Sequence, residues 1–195
     1  MRKRRVFIVA FSVLCIFLWQ ETSVRAEEDW SITLYGAILS ADSLFETLFL
    51  SADLDDSYYF LALALSRKIG SFKKYMNFEL EGQMVKHLGE QHHMEFNVLP
   101  VARWLDFPWN HYVETSFAVG TGLSFATEIP EFEARHHHHT SRLLGYVLFE
   151  WDFSLPRFSR WHLVARVHHR SGAHGLFNNV HDASNALGIG IKYDF

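Results

Sequence analysis

The chain ends Asn185-Ala-Leu-Gly-Ile-Gly-Ile-Lys-Tyr-Asp-Phe195. Leu187, Ile189, Ile191, Tyr193 and Phe195 share one side of this stretch if it is extended, and no charge interrupts them. Side chains alternate across a strand with a period of two, so the segment reads as a β-strand with one wholly apolar face. A strand of this kind, closing on an aromatic residue, fits a lipid-facing wall with Phe195 at the membrane–water interface.

Working back from the C-terminus, the same alternation recurs in eight segments, near 30–40, 57–67, 74–87, 93–104, 112–125, 142–153, 161–171 and 185–195. In the fifth, Val113, Thr115, Phe117, Val119, Thr121, Leu123 and Phe125 oppose Glu114, Ser116, Ala118, Gly120, Gly122 and Ser124. In the third, Met76, Phe78, Leu80 and Met84 oppose Asn77, Glu79, Glu81 and Gln83. A soluble sandwich shows the same alternation, but the connections favour a barrel. Those after the second, fourth and sixth segments are short (Ile69 to Lys73, Asp106 to His111, Ser154 to Arg160), and the others are generally longer and more polar. Short turns at one end and long loops at the other mark outer-membrane barrels. The expected fold is therefore all-β, an eight-stranded antiparallel transmembrane β-barrel with both termini on the periplasmic side. The C-terminal strand also resembles the signal by which the barrel-assembly machinery recognises its clients, which makes that machinery an expected partner.

The N-terminus reads as an export signal. Arg2, Lys3, Arg4 and Arg5 precede an apolar run from Val6 to Trp19, and Val24-Arg25-Ala26 offers a cleavage site after Ala26. The run is too short for a transmembrane helix, and Cys15 lies in a poor lipobox. The expected organisation is a signal peptide over 1–26 and a barrel over 27–195, located in the bacterial outer membrane. Cleavage leaves 169 residues without cysteine, and 13 basic against 21 acidic residues. That acidic balance argues against a nucleic-acid partner.

Candidate chemistry sits at the end of the seventh segment. Trp161, Leu163, Ala165 and Val167 continue on the same face into His169 and Ser171, while His162, Val164, Arg166, His168 and Arg170 take the other. Imidazole and hydroxyl two residues apart on a strand point the same way, and a His that deprotonates a Ser makes a nucleophile for acyl transfer. Asn185 shares the outward parity of Phe195 at the start of the final strand, with Asp182 and Ser184 just before it. Asn185 or Asp182 can orient His169, and the Gly172 N–H can donate to an oxyanion. A site at this height meets the outer leaflet, so lipopolysaccharide is the expected partner.

These residues resemble the lipid A 3-O-deacylases of the PagL type, small barrels with a His-x-Ser in the penultimate strand. His169-Arg170-Ser171 matches that motif. The resemblance implies Ser171 as nucleophile, His169 as general base, and hydrolysis of the 3-position acyl ester of lipid A without a cofactor. This chain departs from the family in two places. Gly172 stands where the family has Asn, and no Glu occurs near the start of the last strand, leaving Asn185 or Asp182 in its role.

Two other functions compete. A non-enzymatic barrel of the OmpA or OmpX kind would use its loops for adhesion or surface stability. A PagP-type acyltransferase would need an interior acyl pocket, which the acidic inward faces disfavour. Glu79, Glu81, Glu95, Glu114, Glu150 and Asp152 are expected to meet Arg103, Arg166, Arg170 and His162 inside the barrel, whose eight strands leave room only for side chains. His136 to His139, and His87, His92 and His93, read as solvated polar loops rather than a metal site. Leu44 to Leu50 is too apolar for a solvated loop and is expected either against the outer leaflet or over the barrel mouth.

Overall fold

The computed structural model describes residues 29–195 apart from His174 and Asp182. The expected signal peptide, Cys15 and the candidate Asp182 thus lie outside the described residues. Eight strands, β1 (Trp30–Ser40), β2 (Asp55–Phe72), β3 (Met76–Gly89), β4 (Met94–Trp104), β5 (Glu114–Ala126), β6 (Leu143–Ser154), β7 (Trp161–Ser171) and β8 (Ser184–Asp194), pair antiparallel in chain order and close into a barrel. Closure joins β1 to β8, with Tyr35 opposite Gly190 and Leu39 opposite Ala186. Gly190 permits this approach, because a Cβ there would lie 2.3 Å from the Leu34 carbonyl oxygen. Two short helices, α1 (Leu44–Leu48) and α2 (Glu131–His136), lie in the β1–β2 and β5–β6 connections.

Two boundaries differ from expectation. The second strand runs on to Phe72, past an irregularity between Lys68 and Gly70. The β3–β4 connection is only residues 90–93 rather than a long loop. Gly89 allows that tight reversal with φ of +85°, and any Cβ there would sit 2.0 Å from the Ser57 carbonyl oxygen.

The outward face carries an exposed apolar belt that includes Leu34, Leu63, Leu80, Phe96, Leu123 and Ile189. Trp30, Trp104, Trp161 and Phe195 ring the end that holds the tight turns and the C-terminus, as interfacial aromatics do in lipid-embedded barrels. Among the described residues no helix is long and apolar enough to cross a membrane.

The interior is filled by charge. Arg103 Nε meets Glu79 Oε1 at 2.6 Å and its Nη1 meets Glu150 Oε1 at 2.8 Å. Arg166 bonds Glu81 Oε1 at 3.0 Å, pairs with Glu150, and stacks over the Tyr35 ring at 4.9 Å. His162 Nδ1 and Lys192 both reach Asp152. Lys192 was not among the expected partners, and Glu114 meets the Ser154 hydroxyl instead of a cation. Burying these charges is tolerated because opposite charges meet there and share hydrogen bonds, and the lumen surface they make is polar rather than the apolar one an acyl chain needs.

The long-loop end is sealed by α2. Phe132 and Glu133 are buried, with Phe132 edge-on to Tyr58 and Glu133 Oε1 accepting from Arg170 Nη1 at 2.5 Å and Ser184 Oγ at 2.8 Å. The histidine run is therefore not simply a solvated loop. His136 ends α2 and packs on the Phe132 ring at 4.4 Å, while His138 and His139 are exposed. Outside the lid, Arg135 joins Glu131 to Glu90. The Tyr58 hydroxyl and Arg135 together hold the Glu90 carboxyl below its usual range. His87 and His93, also read as loop residues, are buried at the top of the lumen because both lie on the inward face of the β3–β4 hairpin.

Candidate active site

β7 delivers His169 and Ser171 to the outward face at the long-loop end, beyond the apolar Leu163, Ala165 and Val167. The β7–β8 register sets His169 directly across from Asn185. His169 Nδ1 lies 2.7 Å from Asn185 Oδ1, and Asn185 Nδ2 donates to the Asp42 carbonyl oxygen at 2.7 Å. The second bond assigns the first. With its NH2 group directed at Asp42, Asn185 presents its carbonyl oxygen to His169, so Nδ1 carries the proton and Nε2 is the basic nitrogen. That is the tautomer a general base for a serine requires.

Asp42 belongs to a structured loop. Its own N–H donates to Ser40 Oγ, and its Oδ2 accepts from the Asp53 N–H at 2.6 Å. Directly after it, Ser43 caps α1 in a reciprocal box with Glu46. The Ser43 hydroxyl and N–H hold the exposed Glu46 carboxyl below its usual range. α1 thereby sets Leu44 and Phe45 into the wall of a cleft of about 370 Å³ that also holds Asp42, His169, Ser171 and Asn185. Phe45, Phe49 and Leu50 remain exposed. The start of the Leu44–Leu50 stretch thus lies beside the outward cleft.

Gly172 follows Ser171 as the chain turns. A Cβ there would lie 1.8 Å from the Val180 carbonyl oxygen. Its own carbonyl accepts from the Phe177 N–H at 2.9 Å, and the Gly175 N–H bonds Val180 O at 2.8 Å. Asn, the residue of the resembled family, does not fit this turn. The backbone N–H nearest the hydroxyl in the described contacts is that of Ala173, 3.4 Å from Ser171 Oγ. Gly172→Ala is expected to displace the turn and lower any activity of this site by roughly 100-fold, the scale of a 1 Å misplacement. The barrel should stay intact. Turnover measured beside heat-modifiable gel mobility checks this, and unchanged turnover would show the turn to be irrelevant.

The structure thus brings together His169, Ser171 and Asn185, with Gly172 adjacent. His137 and His181 also line the cleft and were not singled out from sequence. His137 could have been sought in the histidine run, but nothing local marks which of four adjacent imidazoles turns inward. Asp42 contributes a backbone carbonyl and carries no sequence signal at all.

No family model and no curated protein matches this sequence. Solved structures do. The crystal structure of the outer membrane enzyme PagL aligns with a TM-score of 0.58 at 11% identity, over 85% of this chain and 99% of that one. The fold is that of a small outer-membrane barrel. The crystal structure of Neisserial surface protein A aligns with a TM-score of 0.52 at 13% identity, over 85% of this chain and 97% of that one. At such identities the likeness is one of fold, shared by a protein described as an enzyme and one described as a surface protein.

Proposed function

We propose that this chain is an outer-membrane esterase that removes an acyl chain from lipid A, in the manner of the PagL-type 3-O-deacylases. One observation carries the reading. His169, held by Asn185 in the tautomer of a general base, shares with Ser171 an outward cleft that Leu44 and Phe45 help to wall, above the apolar belt. A water-soluble ester has no reason to approach a belt of leucine and phenylalanine, whereas an acyl ester of lipopolysaccharide lies in the outer leaflet at that height. The signal sequence ending at Ala26 and assembly by the barrel-assembly machinery supply the route there, with the long loops at the cell surface.

Ser171 Oγ attacks the ester carbonyl carbon as its proton passes to His169 Nε2. The tetrahedral intermediate collapses, and the sugar oxygen leaves with the proton from His169. Water, deprotonated by His169, then attacks the acyl-serine, releasing the fatty acid and restoring the hydroxyl. N–H groups at Gly172 and Ala173 are the nearest backbone donors for the oxyanion. Asn185 orients the imidazole without contributing a negative charge. The rival reading, a non-enzymatic barrel of the OmpA or OmpX kind, is favoured by the fold likeness to a protein described as a surface protein.

Mass spectrometry of lipid A from cells expressing the protein or Ser171→Ala decides between them. Loss of one hydroxyacyl chain with the intact protein alone is the expected result. Unchanged lipid A, with the folded barrel confirmed in the outer membrane, would leave the non-enzymatic barrel.

A further inference from the structure

The top of the lumen holds a second group of chemically competent side chains, separate from the outward cleft. In the β3–β4 hairpin, His87 and His93 face one another across the turn, with the His87 N–H donating to the His93 carbonyl at 3.1 Å. Glu95 lies two residues beyond His93 on the same inward face. This arrangement gathers two imidazoles and a carboxylate whose candidate ligand atoms all lie within 4.8 Å of one another, each residue buried.

We propose that His87, His93 and Glu95 form a binding site for a divalent transition metal ion, with Zn2+ as the best-matched occupant. Two imidazoles and one carboxylate are a donor set that borderline divalent ions favour over Ca2+ or Mg2+. His93 is 4% exposed and its Nε2 is a buried nitrogen without a hydrogen-bond partner. Such an atom is costly to bury unless something pairs with it. The carboxylate is already fixed for ligation. Glu95 Oε1 is held by His168 Nε2 and Ser124 Oγ at 2.9 Å each, and Oε2 is directed at His87 Nε2, 2.9 Å away, with Arg170 Nε farther off at 3.9 Å.

The ring arrangement defines what must move. His87 and His93 stack with centroids 4.1 Å apart and planes 16° from parallel, so His93 has to rotate to aim its lone pair at a shared ion. Gln91 Nε2 lies 2.9 Å from His87 Nδ1, and Gln91 Oε1 accepts from the Phe132 N–H. His87 therefore carries its proton on Nε2. Ligation through Nε2 shifts that proton to Nδ1, and the Gln91 amide turns to accept it, a change of tautomer with no net loss of a proton. A water completes four-coordination. The exposed His138 and His139, which follow α2, are the alternative imidazole pair that the test must separate from this site.

The test uses the full mature chain folded in detergent micelles, titrated with Co2+ as a spectroscopic probe and then with Zn2+ in competition. The expected result is one equivalent bound, with the absorption of a four-coordinate ion that Zn2+ displaces. His93→Ala and His93→Gln should each weaken affinity at least tenfold while keeping heat-modifiable gel mobility. The double variant His138→Ala/His139→Ala should keep the site. Absence of binding, binding indifferent to both His93 variants, or binding lost only with His138 and His139 would overturn the proposal. If neither His93 variant folds, zinc-edge absorption fine structure on the His138→Ala/His139→Ala protein decides. Two imidazoles with a carboxylate support the site, and any other ligand set overturns it.

Discussion

Ser171→Ala, His169→Ala and the double variant are expected to lose ester hydrolysis by about the same factor, on the order of 10⁴ or more. The equality matters more than the size. In the proposed mechanism His169 has one chemical task, accepting the Ser171 proton at Nε2 and passing it on. Once the hydroxyl is gone the base has nothing to deprotonate. Once the base is gone the hydroxyl is a poor nucleophile in the same cleft. The losses therefore do not add. Initial rates of fatty-acid release from lipid A in mixed micelles measure all three. A double variant far slower than either single one would mean that the two side chains act separately, and the proton-transfer role would fall. A His169→Ala protein with more than half the starting rate would have the same consequence. Asn185 sharpens the comparison. Its carbonyl holds Nδ1–H in place, and its separate tether to the Asp42 carbonyl survives removal of His169, so the variant leaves both the loop and the lumen untouched.

Parity made much of this site legible. A period of two along β7 and β8 places His169, Ser171 and Asn185 outward before any contact is known, and the same rule sends Arg103, Arg166 and the acidic residues of β3, β5 and β6 inward. The later turns at the short-loop end were equally plain, because Pro156 and polar runs interrupt the alternation, whereas the first falls at 73–75 because β2 continues to Phe72. What escaped depends on residues returning from far along the chain. Glu133 carries no local signal for burial, yet it is buried at the barrel mouth, where it accepts from Arg170 and Ser184. His87 and His93 stand at the ends of the expected third and fourth strands and read as solvated, whereas the tight turn at Gly89 and the inward parity of both positions carry them into the lumen. The Asp42 carbonyl that orients Asn185 is a backbone atom 143 positions away. Local pattern records which face a residue takes, and it is silent on which distant loop closes over that face.

The largest expected effect on stability lies at Arg166, two residues along β7 from His168. It is among the largest fully buried side chains, and it neutralises Glu81 and Glu150, both of which are also buried. Arg166→Leu removes the cation that pairs with Glu81 and leaves that buried carboxylate uncompensated, while Glu150 keeps Arg103. Stranding a buried charge costs about 3–5 kcal/mol, more than the net worth of the pair that was broken. Urea unfolding of the barrel in lipid vesicles should register a loss of that size. The origin of the cost is testable by a second change. Glu81→Gln in the Arg166→Leu background removes the stranded charge, and it should recover a substantial part of the lost stability even though no contact to residue 166 is restored. If the penalty came from lost packing, including the Arg166 stack on Tyr35, the second substitution would recover nothing. Recovery would show that the lumen is held by charge balance, so that an inward-facing carboxylate on β3 persists only while a cation from β7 meets it.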